Sequence, residues 1–315
     1  MSRTGHRTEV TPEERPDTWN PSGHPRAPQV DLRGRRFLVT GAATGIGLAT
    51  ADGLAERGAE VLFGARTWDR ASPAVAWLRK RHPEASIMPF SADLSNLREV
   101  DRAAKELLAA GEPLHGLINN AAIAGARGVS ADGFELTYAT NHLGPFLLTE
   151  RLLPLLEASA PSRIVMVTSH WHFDVTGIPW NRLERPIRSP LARLKRYRET
   201  KLMNVLYARE LSRRLKGTKV STYAAHPGMV ASDIWRRIPQ PLRGLFMGFM
   251  LTPEDGAQTQ LRCAIDPTIE GESGLYWKRT QPHPPSSLAQ DDRLGDRLRE
   301  VSLTHVRRVL GDAAI

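Results

Sequence analysis

A glycine-rich turn between a short apolar strand and a helix constrains this chain more than any other feature. Arg36-Phe-Leu-Val-Thr40 reads as a strand, Gly41-Ala-Ala-Thr44-Gly45-Ile46-Gly47 as the turn, and the residues through about Arg57 as the first helix. Glycine is needed there so that the backbone turns tightly and comes close to a pyrophosphate, which then sits on the helix N-terminus. The spacing is G-x-x-x-G-x-G rather than the commoner G-x-G-x-x-G. A turn of this kind at the head of a strand–helix series selects a doubly wound sheet, and the rest of the chain supplies the series.

Apolar runs predict strands at residues 60–65, 86–90, 114–119, 163–168 and 220–225. Helical periodicity predicts helices over 70–81, 96–110, 131–156 and 191–215. Alternating strands and helices with short connections mean a parallel sheet covered on both faces. The expected class is therefore α/β, a single Rossmann-fold domain over residues 31–315 with a doubly wound parallel sheet flanked by helices. Residues 1–30 hold five prolines and few apolar side chains, so they are expected to form a disordered arm. The apolar segment 238–251 needs cover, and a substrate lid over about 230–252, a dimer contact or a membrane-surface contact would each provide it. Residues 281–288 read as a loop. Leu294, Leu298 and Val301 predict a C-terminal amphipathic helix over about 290–310.

Composition excludes several classes. No run of 18 apolar residues exists, so no transmembrane helix is expected, and the N-terminus lacks a signal-peptide pattern. The single cysteine, Cys263, rules out an internal disulfide framework and fits a reducing cytoplasm. The net charge of +9 is spread along the chain, and its densest cluster (Arg193, Lys195, Arg196, Arg198) lacks interleaved stacking aromatics apart from Tyr197. Scattered charge of this kind reads as a solvated surface rather than a nucleic-acid footprint, and it suits a cleft for a phosphorylated cofactor. His170 and His172 alternate along a possible strand extension, but two ligands do not make a metal site, so none is expected.

The second motif is Tyr197-Arg-Glu-Thr-Lys201. Residues four apart share one helix face, so a phenol and an ammonium are brought together. A phenol of pKa near 10 is too weak a base at neutral pH, and a cation about 4–5 Å away lowers that value by roughly 2–3 units.

The two motifs in this order resemble the short-chain dehydrogenase/reductase family, and the resemblance covers about residues 34–265. It implies that Asn120 and Ala121 of Asn119-Asn-Ala-Ala122 support the cofactor and that Asp93-Leu94 contacts its adenine. Ser169 would hydrogen-bond the substrate oxygen, and Asn141 in Asn-His-Leu-Gly would hold a proton-relay water. Pro227-Gly228 with Val230 and Ser232 would line the nicotinamide, beside Gly41, Thr44, Gly45, Ile46 and Gly47 at the pyrophosphate. Ala122 stands for the family's usual glycine and Ser232 for its commoner threonine. Asn-His-Leu-Gly-x-Phe-Leu-Leu-Thr, His226-Pro-Gly and Gly256-Ala-Gln-Thr look most like the retinol dehydrogenase and protochlorophyllide reductase branch. That branch implies a bulky apolar carbonyl or alcohol, with His170, Trp171 and His172 lining its pocket after Ser169; the stretch after that serine departs from the branch.

Arg66 occupies the place after the second strand where NAD enzymes carry an acid. It would pair with a 2′-phosphate, so NADP(H) is the expected cofactor. Hydride transfer with a proton exchanged by Tyr197 and Lys201 is the implied reaction. A rearrangement without net redox change, or a cofactor-sensing binding protein on the same fold, are the alternatives. A homo-oligomer remains open.

Overall fold

The protein is described from a computed structural model that covers residue 23 and residues 25–230 and 251–312. Eight strands form one sheet in the order β3-β2-β1-β4-β5-β6-β7-β8. They are β1 (Arg36–Val39), β2 (Glu60–Ala65), β3 (Ile87–Ser91), β4 (Gly116–Asn119), β5 (Ser162–Val167), β6 (Val220–His226), β7 (Leu275–Lys278) and β8 (Gln281–His283). All neighbours pair in parallel except β7 and β8. The helices are α1 (Gly45–Ala55), α2 (Trp68–Arg81), α3 (Leu97–Ala110), a single turn α4 (Leu136–Tyr138), α5 (Gly144–Ala158), α6 (Pro190–Arg214), α7 (Pro253–Ile265) and α8 (Asp292–Leu310).

The strands are apolar on both faces because both faces are covered. Phe37, Val39, Val61 and Phe63 point into a core closed by α1, α2 and α7, whereas Leu38 and Leu62 point into the core closed by α3, α5 and α6. The order of the strands reverses direction between β1 and β4, which opens a crevice at their carboxyl ends. The two edge strands each contain a proline, Pro89 in β3 and Pro282 in β8.

Several expectations needed correction. Residues 25–30 pack against the body instead of belonging to a free arm: Ala27 is buried and donates its N–H to Gln258 Oε1 at 2.9 Å. Arg57 donates to the carbonyl of Pro28, and Arg26 stands 3.3 Å from Asp255. One small apolar residue and main-chain groups suffice for this docking. The expected helix over 131–156 begins only at Leu136, because Asp132 caps α3 through the N–H of Leu97 and Gly133 turns the chain at φ +86°. A π-helical turn, Ala139–Leu143, then leads into α5. The expected loop at 281–288 includes β8, which returns through a tight turn with Arg279 and Thr280 both at positive φ. Helix α7 and strand β7 were not anticipated. The segment 231–250, expected as a lid, lies outside the described residues; its flanks Val230 and Leu251 are bridged, with Leu251 N–H donating to the carbonyl of Met229. Among the described residues no helix is long and apolar enough to cross a membrane.

Candidate active site

The crevice between β1 and β4 has one wall made mainly of backbone. Asn120 and Ala121 donate their N–H groups to Thr40 Oγ1 at 3.0 and 3.1 Å, and Asn120 Nδ2 donates to the carbonyl of Thr40 at 2.9 Å. These bonds clamp the glycine turn to the end of β4. A Cβ on Gly47 would lie 2.2 Å from the carbonyl oxygen of Gly41 and 2.5 Å from Asn120 Nδ2, and one on Gly41 would lie 2.8 Å from Ala121 Cα. No side chain fits either place. Gly45 begins α1, and the exposed Thr44 at its cap bonds none of the first-turn N–H groups. Ile46 is half-buried beside it. The helix N-terminus thus keeps its donors and positive dipole end for an anion, and this donor set fits a dinucleotide pyrophosphate.

Further along the same edge, Arg66 follows β2, exposed and in no ion pair among the described residues. Asp93 after β3 uses Oδ1 to accept from the N–H and hydroxyl of Ser95, and Leu94 beside it is buried. The surroundings fit a phosphorylated nucleoside: a free guanidinium at β2, a half-buried carboxylate at β3 and no acid between residues 61 and 68.

The other wall is made of side chains on β5, β6 and α6. Tyr197 and Lys201 lie one turn apart, with Lys201 Nζ 5.5 Å from the centre of the phenol ring. Lys201 Nζ donates to the carbonyl of Val167 at 3.0 Å, and Asn204 Nδ2 donates to the same oxygen. Burial lowers the Lys201 pKa to about 7. Burial also pushes the Tyr197 phenol above its ordinary value, against the hydrogen bond with Ser169 that pulls it down. The sequence-based expectation was the reverse, a phenol lowered by its lysine. In this arrangement desolvation outweighs the Ser169 hydrogen bond, and the phenol stays protonated at neutral pH.

Ser169 is held by the turn that follows it. Its Oγ accepts from the N–H of Trp171, which starts a 3₁₀ turn, His170–Asp174, in place of the anticipated strand extension. His172 Nδ1 donates to the carbonyl of Ser169 at 2.8 Å, and its Nε2 accepts from the N–H of Ser286 at 3.1 Å. His172 is therefore fully buried, with both ring nitrogens bonded, because a 3₁₀ turn does not alternate its side chains as a strand does. His170 is exposed, and Trp171 meets Tyr197 edge-on at 5.9 Å.

Asn141, on the π-helical turn, accepts from the N–H of Ile123 and donates to its carbonyl and to Thr200 Oγ1. Its amide pins the loop after β4 to α6, and the water it was expected to hold would have to be met by something other than its two N–H groups. Pro227 and Gly228 follow β6, with Gly228 at φ +89° and its N–H donating to His226 Nδ1 at 3.4 Å. Val230 is buried at the end of the described stretch, and Ser232 lies outside the described residues.

Sequence reasoning missed the clamp residues Thr168 and Gln260. Thr168 Oγ1 donates to the carbonyl of Lys201 within the key helix, and Gln260 of α7 donates to Asn120 Oδ1 at 3.5 Å. Neither sits in a motif. Reasoning also misplaced Arg193 and Arg196, which are 7% and 1% exposed rather than solvated.

Comparison with known proteins agrees with this geometry. A family model described as short chain dehydrogenase matches residues 35–176. The chain is 41% identical to human dehydrogenase/reductase SDR family member 13 over 277 residues, 86% of this chain and 73% of that protein. It is 39% identical to human retinol dehydrogenase 12 over 276 residues, 87% of this chain and 86% of the relative. Among solved structures, the RhlG/NADP active-site complex of Pseudomonas aeruginosa superposes with a TM-score of 0.63 at 27% identity, covering 78% of this chain and 94% of that one.

Proposed function

The chain belongs to the short-chain dehydrogenase/reductase family, in the retinol dehydrogenase branch, and from that premise we propose that it is an NADP(H)-dependent reductase of bulky apolar carbonyl compounds. The observation that carries the reading is the set Ser169, Tyr197 and Lys201 beside an unspent helix N-terminus and an acid-free end of β2. A bound nicotinamide supplies the hydride; the chain's own residues handle the proton and the geometry. Gly41, Gly45 and Gly47 admit the pyrophosphate by backbone, and Arg66 takes the 2′-phosphate. The NADP in the RhlG complex supports that choice.

Ser169 donates a hydrogen bond to the carbonyl oxygen and so stabilises the charge that develops there. Tyr197, kept protonated by burial, gives its proton to that oxygen as it becomes an alkoxide. Lys201 has further N–H donors beyond the one spent on Val167, and these hold the cofactor ribose and steady the phenolate once its proton has left. A phenol that starts protonated suits reduction better than oxidation. Phe173 and Met229, exposed beside the ends of β5 and β6, offer apolar surface to a large substrate, with Trp171 edge-on to Tyr197 behind them.

Loss of NADPH absorbance with a panel of aldehydes and ketones tests the reading, and product formed without net oxidation of NADPH would favour the rearrangement alternative. For the cofactor, kcat/KM is expected to favour NADPH over NADH about tenfold or more, with the preference lost in Arg66→Asp. An enzyme that prefers NADH, or that ignores the substitution, removes the basis for the NADP assignment.

A further inference from the structure

Among the described residues Arg193 is a buried charge without a counter-charge. Seven arginines of that set carry a buried side-chain nitrogen that finds no hydrogen-bond partner. Six of them, Arg151, Arg196, Arg198, Arg209, Arg262 and Arg299, still stand within ion-pair distance of a carboxylate. Among the described residues Arg193 does not, and both its Nε and its Nη1 are unpartnered at 7% exposure. Arg196, three residues on, shows what satisfaction looks like here: Nη1 donates to Glu199 at 2.8 Å, Nη2 to the carbonyl of Arg182, and Nε lies 3.5 Å from Glu135. The local acids are thus spent on Arg196.

Arg193 borders a cavity of about 470 Å³ whose lining among the described residues also includes Gly125, Ala126, Arg127 and Leu136. Arg127 is exposed and likewise meets no carboxylate among the described residues. The place is specific. Arg193, Tyr197 and Lys201 repeat every four residues along one face of α6, so the Arg193 backbone stands one turn, about 6 Å along the axis, before that of Tyr197. Gly125–Arg127 belong to the loop that leaves β4, and the amide of Asn141 holds that loop to α6 through Ile123. Arg66, the candidate for the cofactor phosphate, follows β2, and β1 separates β2 from β4. The two cationic stations are separate.

A guanidinium buried without an anion is a cost to the folded chain, and an anion entering the cavity removes it. Arginine's planar fork suits a carboxylate, and Ala126 and Leu136 provide apolar wall for the carbon skeleton behind it. We propose that this cavity receives a carboxylate carried by the substrate, held by Arg193 with Arg127 at the rim, one helical turn from the carbonyl that Tyr197 addresses. The substrate class is then an apolar oxo-acid rather than a neutral carbonyl compound. This rests on the reductase reading for its identification of the ligand as substrate, but not for the existence of the anion site.

The test uses 4-formylbenzoate and its methyl ester, which share one aldehyde and differ only in the distant charge. In the wild-type enzyme the acid is expected to exceed the ester at least tenfold in kcat/KM, through KM. In Arg193→Leu the acid-to-ester ratio falls to about one, and in Arg193→Lys it is intermediate. Calorimetric titration of the full chain with benzoate reads the site without turnover, and Arg193→Leu is expected to weaken that binding tenfold or more. Removing an unpaired charge should leave the melting temperature of Arg193→Leu equal or higher; if that variant does not fold, Arg193→Gln replaces it. Equal use of acid and ester by the wild type, a preference that survives in Arg193→Leu, or benzoate binding indifferent to the substitution would each overturn the proposal. Failure of both aldehydes to turn over with either nicotinamide cofactor would instead count against the reductase reading, and the benzoate titration would still decide the anion site.

Discussion

The two walls of the crevice between β1 and β4 are built from different material. On the β1 side the surface is backbone, shaped by Gly41, Gly45 and Gly47 and clamped by Thr40 and Asn120. On the far side it is made of side chains, the buried Lys201 among them, and the rest of the protein buries further polar groups: Arg193, Arg196, Glu199, Asn141 and the imidazoles of His142, His172, His226 and His305. A wall of backbone cannot accept an added atom but is indifferent to pH. A wall of desolvated ionisable groups tolerates small changes of shape and responds strongly to any change of charge.

The sharpest break in that contrast should come from Tyr197→Phe, which deletes one hydroxyl and keeps the packing against Trp171. Its kcat is expected to fall by about 10²–10⁴, the usual reach of general acid–base catalysis, while NADPH affinity by fluorescence titration stays within about twofold. Retention of more than about a tenth of wild-type kcat would mean that the proton comes from elsewhere.

Acid should act first on the buried imidazoles. Burial lowers His172 and His305 to about 4, and His142 and His226 to about 3, so all four are neutral in the folded chain. In the unfolded chain each takes its proton near 6.5. Below that pH the unfolded state binds protons that the folded state refuses, so stability falls as pH drops from about 6.5 towards 4. His172 alone accounts for a loss of about 3 kcal/mol at most. Melting temperature against pH reads this directly, and His305→Gln should flatten the slope. A flat profile between pH 6.5 and 4.5 would contradict the contrast.

On the near wall the sensitive change is one of volume. The Cβ added by Gly47→Ala meets the Gly41 carbonyl at 2.2 Å, a clash with backbone that cannot swing away. Overpacking of this sort costs about 1–3 kcal/mol. A lower melting temperature and a tenfold or greater loss of cofactor affinity are expected, at every pH from 5 to 8. An affinity loss confined to one end of that range would mean that the near wall also depends on a titrating group.

What could be read from sequence divides along the same line. Backbone constraints are local, so the glycine spacing located the near wall, and β2 was bounded to the residue at 60–65. Tyr197 and Lys201 were legible because they sit at a fixed offset within one short motif, and Ser169 was named through the family resemblance from its place after the fifth strand. Arg193 and Arg196 were not. A run of arginines reads as solvent-facing unless its surroundings are known, and the partners that bury Arg196, Glu135 and Arg182, come from segments up to about 60 residues away. His172 was misread for a related reason. Its side chain is turned inward by the carbonyl of Ser169 and by the distant Ser286, a pair of contacts that no periodicity announces.

The smallest expected effect concerns the chain's entry to the near wall. Residues 25–30 contribute the buried Ala27, the Pro28 carbonyl to Arg57 and the Arg26–Asp255 pair. A chain beginning at Asp31 should melt a few degrees below one beginning at Pro25, a difference of about 1 kcal/mol for a domain of this size. Equal melting temperatures would show that this docking adds nothing measurable.

The prolines in β3 and β8 bear on how copies of this molecule can meet. An open sheet ends in two rows of unpaired main-chain donors and acceptors, and each row is a template on which a strand of another molecule could grow. Proline has no N–H to offer such a visitor, and its ring stands where the incoming backbone would lie. With Pro89 at one border and Pro282 at the other, continuous ribbon growth is blunted in both directions. Among the described residues neither border of the sheet invites self-association, and crowded or partly unfolded preparations have less opportunity to polymerise edge to edge.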